Sequence, residues 1–205
     1  MTGDLVNSSR LTAAELARAR RVVERVGVRL RRGVDDGEAE RVEVGVDWYR
    51  GDGWELSVRP GVYALRAALL VRATLRGVMD ELDTRIAIGV GAGDPDDREA
   101  FIRSGRRFEA LGRDEWFAIE GAGSGWDAAA GVIDETIRSR WTGKRAFAVM
   151  AALRGVTQER TGRLYRPRVT QATVGEHLDR AGWSGVKRAV GLFEAERSQS
   201  EGERR

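Results

Sequence analysis

The chain has 205 residues, enough for one domain of ordinary size or two small ones, and its 41% apolar and 33% charged residues exclude disorder along the whole length. It has no cysteine, which excludes disulfides, zinc ribbons and thiol nucleophiles, and its single histidine, His177, excludes a multi-histidine metal site. The net charge of +3 is uneven: residues 1–140 carry 22 basic and 25 acidic side chains, residues 141–205 carry 13 and 7. Leu16, Ala19, Val22, Val23, Val26 and Leu30 recur at spacings of three and four and predict a helix over 11–32. Thr12 and Glu15 form a capping box at its start, with Leu11 and Leu16 placed as a hydrophobic staple. Residues 33–40 read as a polar loop.

Val42, Val44, Val46 and Trp48 alternate with Glu43, Gly45 and Asp47, and Trp54, Leu56 and Val58 alternate with Glu55 and Ser57. With Gly51-Asp52-Gly53 between them, the two runs predict a hairpin. Pro60 opens a helix to Leu82 with the apolar stripe Val62, Leu65, Leu69, Leu75, Met79 and Leu82. A buried strand is predicted over 85–90, then a loop carrying Asp94, Asp96 and Asp97, a helix over 99–111, a strand over 115–119 and a turn at Gly121–Gly125. Helices follow over 127–140, 142–154, 157–165, 170–181 and 184–196, and the polar residues from Arg197 onward are expected to fray as a disordered tail.

This order describes an α+β fold: a ferredoxin-like, nucleotide cyclase-like sheet domain over 1–123, then an all-α helix-turn-helix segment over 124–196. A β-α-β-β-α-β unit needs a strand before the first helix, and Met1 to Leu5 supply only a truncated one. No apolar run reaches the ~18 residues of a membrane-spanning helix, and Met1-Thr2-Gly3-Asp4 lacks the basic and apolar regions of a secretory leader. The expectation is a soluble cytoplasmic protein with no membrane partner.

In such a sheet an aspartate ending the first strand and another in the hairpin turn meet at one edge. Asp4 and Asp52 there could hold a hard cation such as Mg2+ through oxygen ligands, and the backbone around Asn7–Ser9 could meet phosphates. The alternative is plain turn chemistry for Gly-Asp-Gly and a polar role for Asp4.

Thr2-Gly3-Asp4-Leu5-Val6-Asn7-Ser8 resembles the segment after the first strand of class III nucleotide cyclases. Arg50-Gly51-Asp52-Gly53-Trp54 resembles their G-D-G-F hairpin and the G-G-D-E-F turn of diguanylate cyclases. The chain is most similar to the SatD family of small bacterial proteins. Their motifs are matched, in order, by Gly3-Asp4-Leu5-Val6-Asn7-Ser8, Gly51-Asp52-Gly53-Trp54, Ser104-Gly105-Arg106-Arg107-Phe108 and Thr157-Gln158-Glu159. The resemblance implies Asp4 and Asp52 as metal ligands for Mg2+, and Arg107 as the arginine that stabilises transition-state charge. Asn7, Ser8, Gly51 and Gly53 would then border a nucleotide, and a homodimer is implied as well. Arg103 stands where a cyclase has asparagine, and no purine-selecting pair is found, which weighs against cyclisation.

Residues 141–188 hold 10 basic and 3 acidic side chains. Thr157 and Thr170 are candidate caps for two successive helices, with Val174 and Leu178 facing inward on the second. Polar Gln171, Thr173 and His177 on the other side fit the reading helix of a helix-turn-helix. The turn Leu164–Thr170 is about three residues longer than usual and adds Arg166 and Arg168 as phosphate contacts. The DNA-facing set is therefore Arg166, Arg168, Thr170, Gln171, Thr173 and His177. The competing reading is a helical bundle used for dimerisation or for packing on the sheet.

Together these features describe a nucleotide- or metal-responsive DNA-binding regulator of the SatD type. The alternatives are an Mg2+-dependent nucleotidyl cyclase or related phosphoryl-transfer enzyme, and a scaffold without chemistry.

Overall fold

A computed structural model of the chain describes residues 1–26, 30, 42–49, 51–79, 82–91 and 98–202. The expected loop over 33–40 and the acidic loop with Asp94, Asp96 and Asp97 lie outside the described residues. The strands are β1 (Thr2–Leu5), β2 (Glu43–Tyr49), β3 (Gly53–Arg59), β4 (Thr84–Gly89) and β5 (Phe117–Glu120). The helices are α1 (Ala13–Glu24), α2 (Ala64–Val78), α3 (Arg98–Glu109), α4 (Ser124–Arg140), α5 (Gly143–Leu153), α6 (Gln158–Leu164), α7 (Gln171–Arg180) and α8 (Trp183–Gly202).

The fold is α+β. One five-stranded sheet runs β2-β3-β1-β4-β5, with β1 antiparallel to both β3 and β4, and β5 parallel to β4. The short β1 is the central strand. It is held from both sides, and the Met1 amine extends the pairing by donating to the Leu56 carbonyl at 2.8 Å. The hairpin registers Trp48 opposite Trp54 and keeps Glu43, Asp47 and Tyr49 on an exposed face. The Thr12–Glu15 capping box starts α1 as its sequence predicts.

Two expectations are corrected here. The helix after Pro60 begins with a 3-10 turn at Gly61–Tyr63 and ends at Val78, and it is not an amphipathic stripe. Nearly every residue from Ala64 to Arg76 is buried, because the sheet covers one side of α2 and α5 the other. Both helices are rich in alanine, and a Cβ at Gly77 would lie 2.8 Å from the Phe147 nitrogen, so the two backbones approach closely. The second correction is the tail. Residues 197–202 continue α8, with Ser198 and Ser200 hydroxyls donating to the carbonyls of Glu194 and Glu196.

The core does not break at residue 123. Leu69 and Leu75 of α2, Ile133 of α4, Val149 of α5 and Val174 of α7 belong to one buried cluster. A buried ionic network crosses the same boundary. Arg72, with no exposure, donates Nε and Nη2 to Asp83 at 2.9 and 2.7 Å and Nη1 to Asp134 at 2.7 Å. Arg76 adds a contact to Asp83 at 3.0 Å and one to the Trp141 carbonyl at 2.8 Å. The Trp116 amide donates to Asp134, and the Thr84 amide to Asp83, each at 2.9 Å. Burial alone would pull the Arg72 pKa down. The two aspartates outweigh it, so the guanidinium is held above its ordinary range and stays charged.

Removing one partner from such a network leaves the others buried and uncompensated. Arg72→Met is expected to lower the unfolding free energy by about 3–5 kcal/mol, read from urea denaturation. A loss under about 1 kcal/mol would show that water enters and replaces the guanidinium.

Candidate functional site

Two places carry functional side chains: the end of the sheet at Asp4 and Asp52, and the α6–α7 helix pair. At the sheet end, Asp4 lies opposite Gly53 on β3, the residue after Asp52. The segment after β1 turns sharply through Asn7, whose φ of 57° is left-handed, into a 3-10 turn at Ser8–Arg10. That turn carries the Ser8 hydroxyl to Asp52, to which it donates a short hydrogen bond. Gly51 takes φ 86°, a conformation only glycine adopts without strain, and its carbonyl accepts from Arg20 of α1. A Cβ on Gly53 would lie 2.7 Å from the Tyr49 ring, so this glycine is set by packing. Asp4, Asp52, Asn7, Ser8, Gly51 and Gly53 are therefore gathered at one end of the sheet.

Sequence reading missed the residue that dominates this end. Arg85, the second residue of β4, lies directly opposite Asp4, and its guanidinium forks the carboxylate, with Nε to Oδ1 at 3.0 Å and Nη2 to Oδ2 at 2.5 Å. The other side of the guanidinium lies over the Phe108 ring at 5.1 Å. The hydrogen bonds that Arg85 donates to Asp4 raise the Arg85 pKa, against the effect of burial and with further help from the charges of Asp4 and Asp52. An arginine near the start of an otherwise apolar strand was the available signal, since such a charge needs a partner.

Mg2+ requires near-octahedral oxygen ligation at about 2.0–2.1 Å. The fork uses the inner lone pair of each Asp4 oxygen. A divalent ion on an outer pair would stand roughly 5 Å from a cation, a repulsion of about 7 kcal/mol at an effective dielectric of ~20 before solvent screening. The residues present do not fit a metal while Arg85 holds Asp4.

Arg107 has other partners than the expected transition-state charge. Burial would lower its pKa, but Glu115 and Asp127 raise it, the latter at 3.2 Å, and it fastens the end of α3 to the start of α4. Arg103, in the place of the cyclase asparagine, donates to the Val90 carbonyl and pairs with Glu99 at 2.5 Å. Ser104 is fully buried and bonds Thr2 at 2.8 Å, fixing α3 on β1.

In the helix pair, Thr157 accepts from the Arg160 amide and Thr170 from the Thr173 amide, so both predicted caps are formed. Val174 and Leu178 are buried. The connecting turn is clasped by the Val169 amide donating to the Gly162 carbonyl at 3.1 Å. Arg166, Pro167, Arg168, Thr170, Gln171 and Ala172 are exposed along the turn and the start of α7. The Thr170 and Thr173 hydroxyls bond each other at 3.0 Å, which spends part of their capacity within the helix start.

His177 lies in the last turn of α7. Its ring stacks on Tyr165 at 5.7 Å and is only partly exposed. Burial first, then Lys144, Arg145 and Arg180, push its pKa below the ordinary value, with Glu176 opposing. The folded state therefore favours neutral His177. Its contribution is present above the unfolded-state pKa and is lost as pH falls below that value and through the lower folded-state pKa. Tyr165, pushed up to about 12 by burial, donates to the Lys144 carbonyl at 2.6 Å and packs edge-on against Phe147.

No family model, curated protein or solved structure matches the chain. Among the described residues, no helix is long and apolar enough to cross a membrane, and no group of three or more acidic or histidine side chains is placed to hold a metal ion.

The clasp between α6 and α7 has little room. A Cβ on Gly162 would lie 2.5 Å from the Val169 carbonyl, whereas one on Gly175 meets only Gln158 Oε1 at 3.5 Å. Gly162→Ala is expected to cost about 1–3 kcal/mol in thermal or urea unfolding. Gly175→Ala is expected to be neutral or stabilising by up to about 1 kcal/mol.

Proposed function

We propose that this chain is a DNA-binding regulator of the SatD type, in which the α6–α7 pair contacts duplex DNA and the sheet part senses a small anionic ligand such as a nucleotide. The observation that carries the reading is the exposed set Arg166, Arg168, Thr170 and Gln171, held between two capped helices in a segment with 10 basic and 3 acidic residues. A positive surface of this kind attracts phosphates without regard to sequence, and the exposed start of α7 offers Gln171 to base edges. Arg166 donates back to the Arg163 and Tyr165 carbonyls, so the turn is ordered before any DNA arrives. Burial and the nearby Lys144 and Arg145 lower the His177 pKa and favour its neutral form, so the positive surface rests on the arginines and lysines.

For the sheet part we propose a ferredoxin-like, cyclase-like organisation. The strand order β2-β3-β1-β4 with antiparallel neighbours, followed by β5 beside β4, supports it. The exposed Asn7 turn and the open surroundings of Gly51 are where a phosphate would enter. The Mg2+-dependent transfer reading gains no support from Arg107, whose charge is set by Glu115 and Asp127.

Fluorescence anisotropy of a labelled duplex, titrated across salt concentration, tests the DNA contact. Affinity is expected to fall linearly on a logarithmic salt axis, and Arg168→Ala to weaken binding on all sequences while reducing the slope by about 1. Binding that ignores both salt and the Arg166→Ala/Arg168→Ala double variant would refute this interface.

A further inference from the structure

We infer that Arg85 takes the place of a divalent cation at the Asp4–Asp52 end of the sheet, so that the chain satisfies Asp4 with its own guanidinium and needs no metal there. The inference concerns the sheet end alone and goes beyond DNA contact; either can fail without the other.

Four observations carry it. The first is register: Asp4 is paired with Arg85 across β1 and β4 and with Gly53, the neighbour of Asp52, across β1 and β3. The arginine is thus delivered by the sheet itself to the point where the two acids converge. The second is ligation. Both oxygens of Asp4 accept from Arg85, at 3.0 and 2.5 Å, which is the bidentate geometry that makes guanidinium–carboxylate pairs strong. Asp52 accepts from the Ser8 hydroxyl, so a donor from the chain also fills its oxygen. The third is support. Phe108 lies beneath the guanidinium, and Thr84, next to Arg85, donates its hydroxyl to the Asp4 carbonyl, so both members of the pair are fixed from the backbone outward. The fourth is position. The pair is partly buried, with side-chain exposures of 33% and 24%, so water has access but the charges are not free to swing apart into bulk solvent.

The chemistry follows. A cation fixed on the chain carries one positive charge, cannot dissociate and cannot polarise a bound water as a metal does. It orders β1, β3 and β4 at all cation concentrations. An arriving phosphate meets Asp4 already paired with arginine, while Asp52 keeps its charge with only the Ser8 hydroxyl bonded to it.

Removing the arginine charge uncovers two adjacent carboxylates of the kind that hard cations favour. The test is Mn2+ binding to the full chain, followed by electron paramagnetic resonance, with circular dichroism to check the fold. Wild-type protein is expected to bind no Mn2+ at this end at ~1 mM ion, and Arg85→Met to gain a site at least about tenfold tighter than any in the wild type. Adding Asp52→Asn to Arg85→Met is expected to abolish the gained site. Arg85→Gln keeps a donor but loses the charge, and it repeats the measurement if Arg85→Met does not fold. Three results overturn the inference: wild-type Mn2+ binding that Asp52→Asn removes, folded Arg85 variants that gain no Mn2+, or unfolding of both variants. The last would assign Arg85 a purely structural role.

Discussion

The fold is organised around one guanidinium that never meets water. Arg72 sits in the middle of α2, the helix that separates the sheet from the helical half, and its donors are divided between Asp83 before β4 and Asp134 on α4. A buried pair of this kind contributes little net stability compared with a packed apolar core, because the cost of desolvating each ion offsets most of the attraction. What it fixes is geometry. An apolar contact tolerates sliding, whereas Arg72 can satisfy all its donors only if α2, β4 and α4 stand in a single arrangement. The Asp134 contact to the Trp116 amide extends this constraint to the strand beside β4.

The sheet end inherits its order from the same network. Asp83 accepts from Arg72, Arg76 and the Thr84 amide through its side chain, and from the Val6 amide through its carbonyl. It therefore fixes where β1 stops and where β4 begins. The next residue, Thr84, bonds the Asp4 carbonyl and accepts from the Trp54 indole at 3.3 Å. The residue after that is Arg85. Three consecutive positions thus run from the buried core to the surface site, and the Asp4–Arg85 fork is the exposed end of a chain of polar contacts that starts inside the molecule. Gly3 completes the fit: a Cβ there would lie 2.4 Å from the Trp54 ring, so the tryptophan seats only against bare backbone.

Local patterns were legible in the sequence, and partnerships were not. The capping box at Thr12, the alternating hairpin and the two threonine caps in the helical half depend on neighbours within a few residues, and the chain forms all of them. The pairing of β1 with β3, which puts Asp4 opposite Gly53, could be read because it requires only a strand order. Arg85 was missed because a lone charge on an apolar strand signals only that a partner exists, and that partner, Asp4, is 81 residues away in the chain. Arg72 and Arg76 gave a clearer hint, as two arginines one helical turn apart inside an apolar helix demand buried partners. Their stripe nevertheless read as one-sided because α5, which covers the far side, lies some seventy residues downstream. Gly121 and Gly123 take positive φ as the expected turn requires, and the chain that follows packs back onto the same core.

With 33 arginines and 2 lysines, composition could not separate structural from functional charge, and burial and partners do so instead. Arg72 is enclosed and fully engaged, which makes it a fixed part of the framework. Arg85 is a third exposed and bonded on one side only, which leaves it able to respond to whatever approaches the carboxylates. Arg166 and Arg168 are exposed on a turn that is ordered by Gly162 and Val169 and by the Arg166 guanidinium itself, which donates to the Arg163 and Tyr165 carbonyls. Lysine could serve in the last setting, since a point charge is enough to attract phosphate. It could not serve in the first two, where a planar fork must reach two carboxylate oxygens at once. The use of arginine at all three depths therefore carries different information at each, and only at the surface is net charge itself the property that matters.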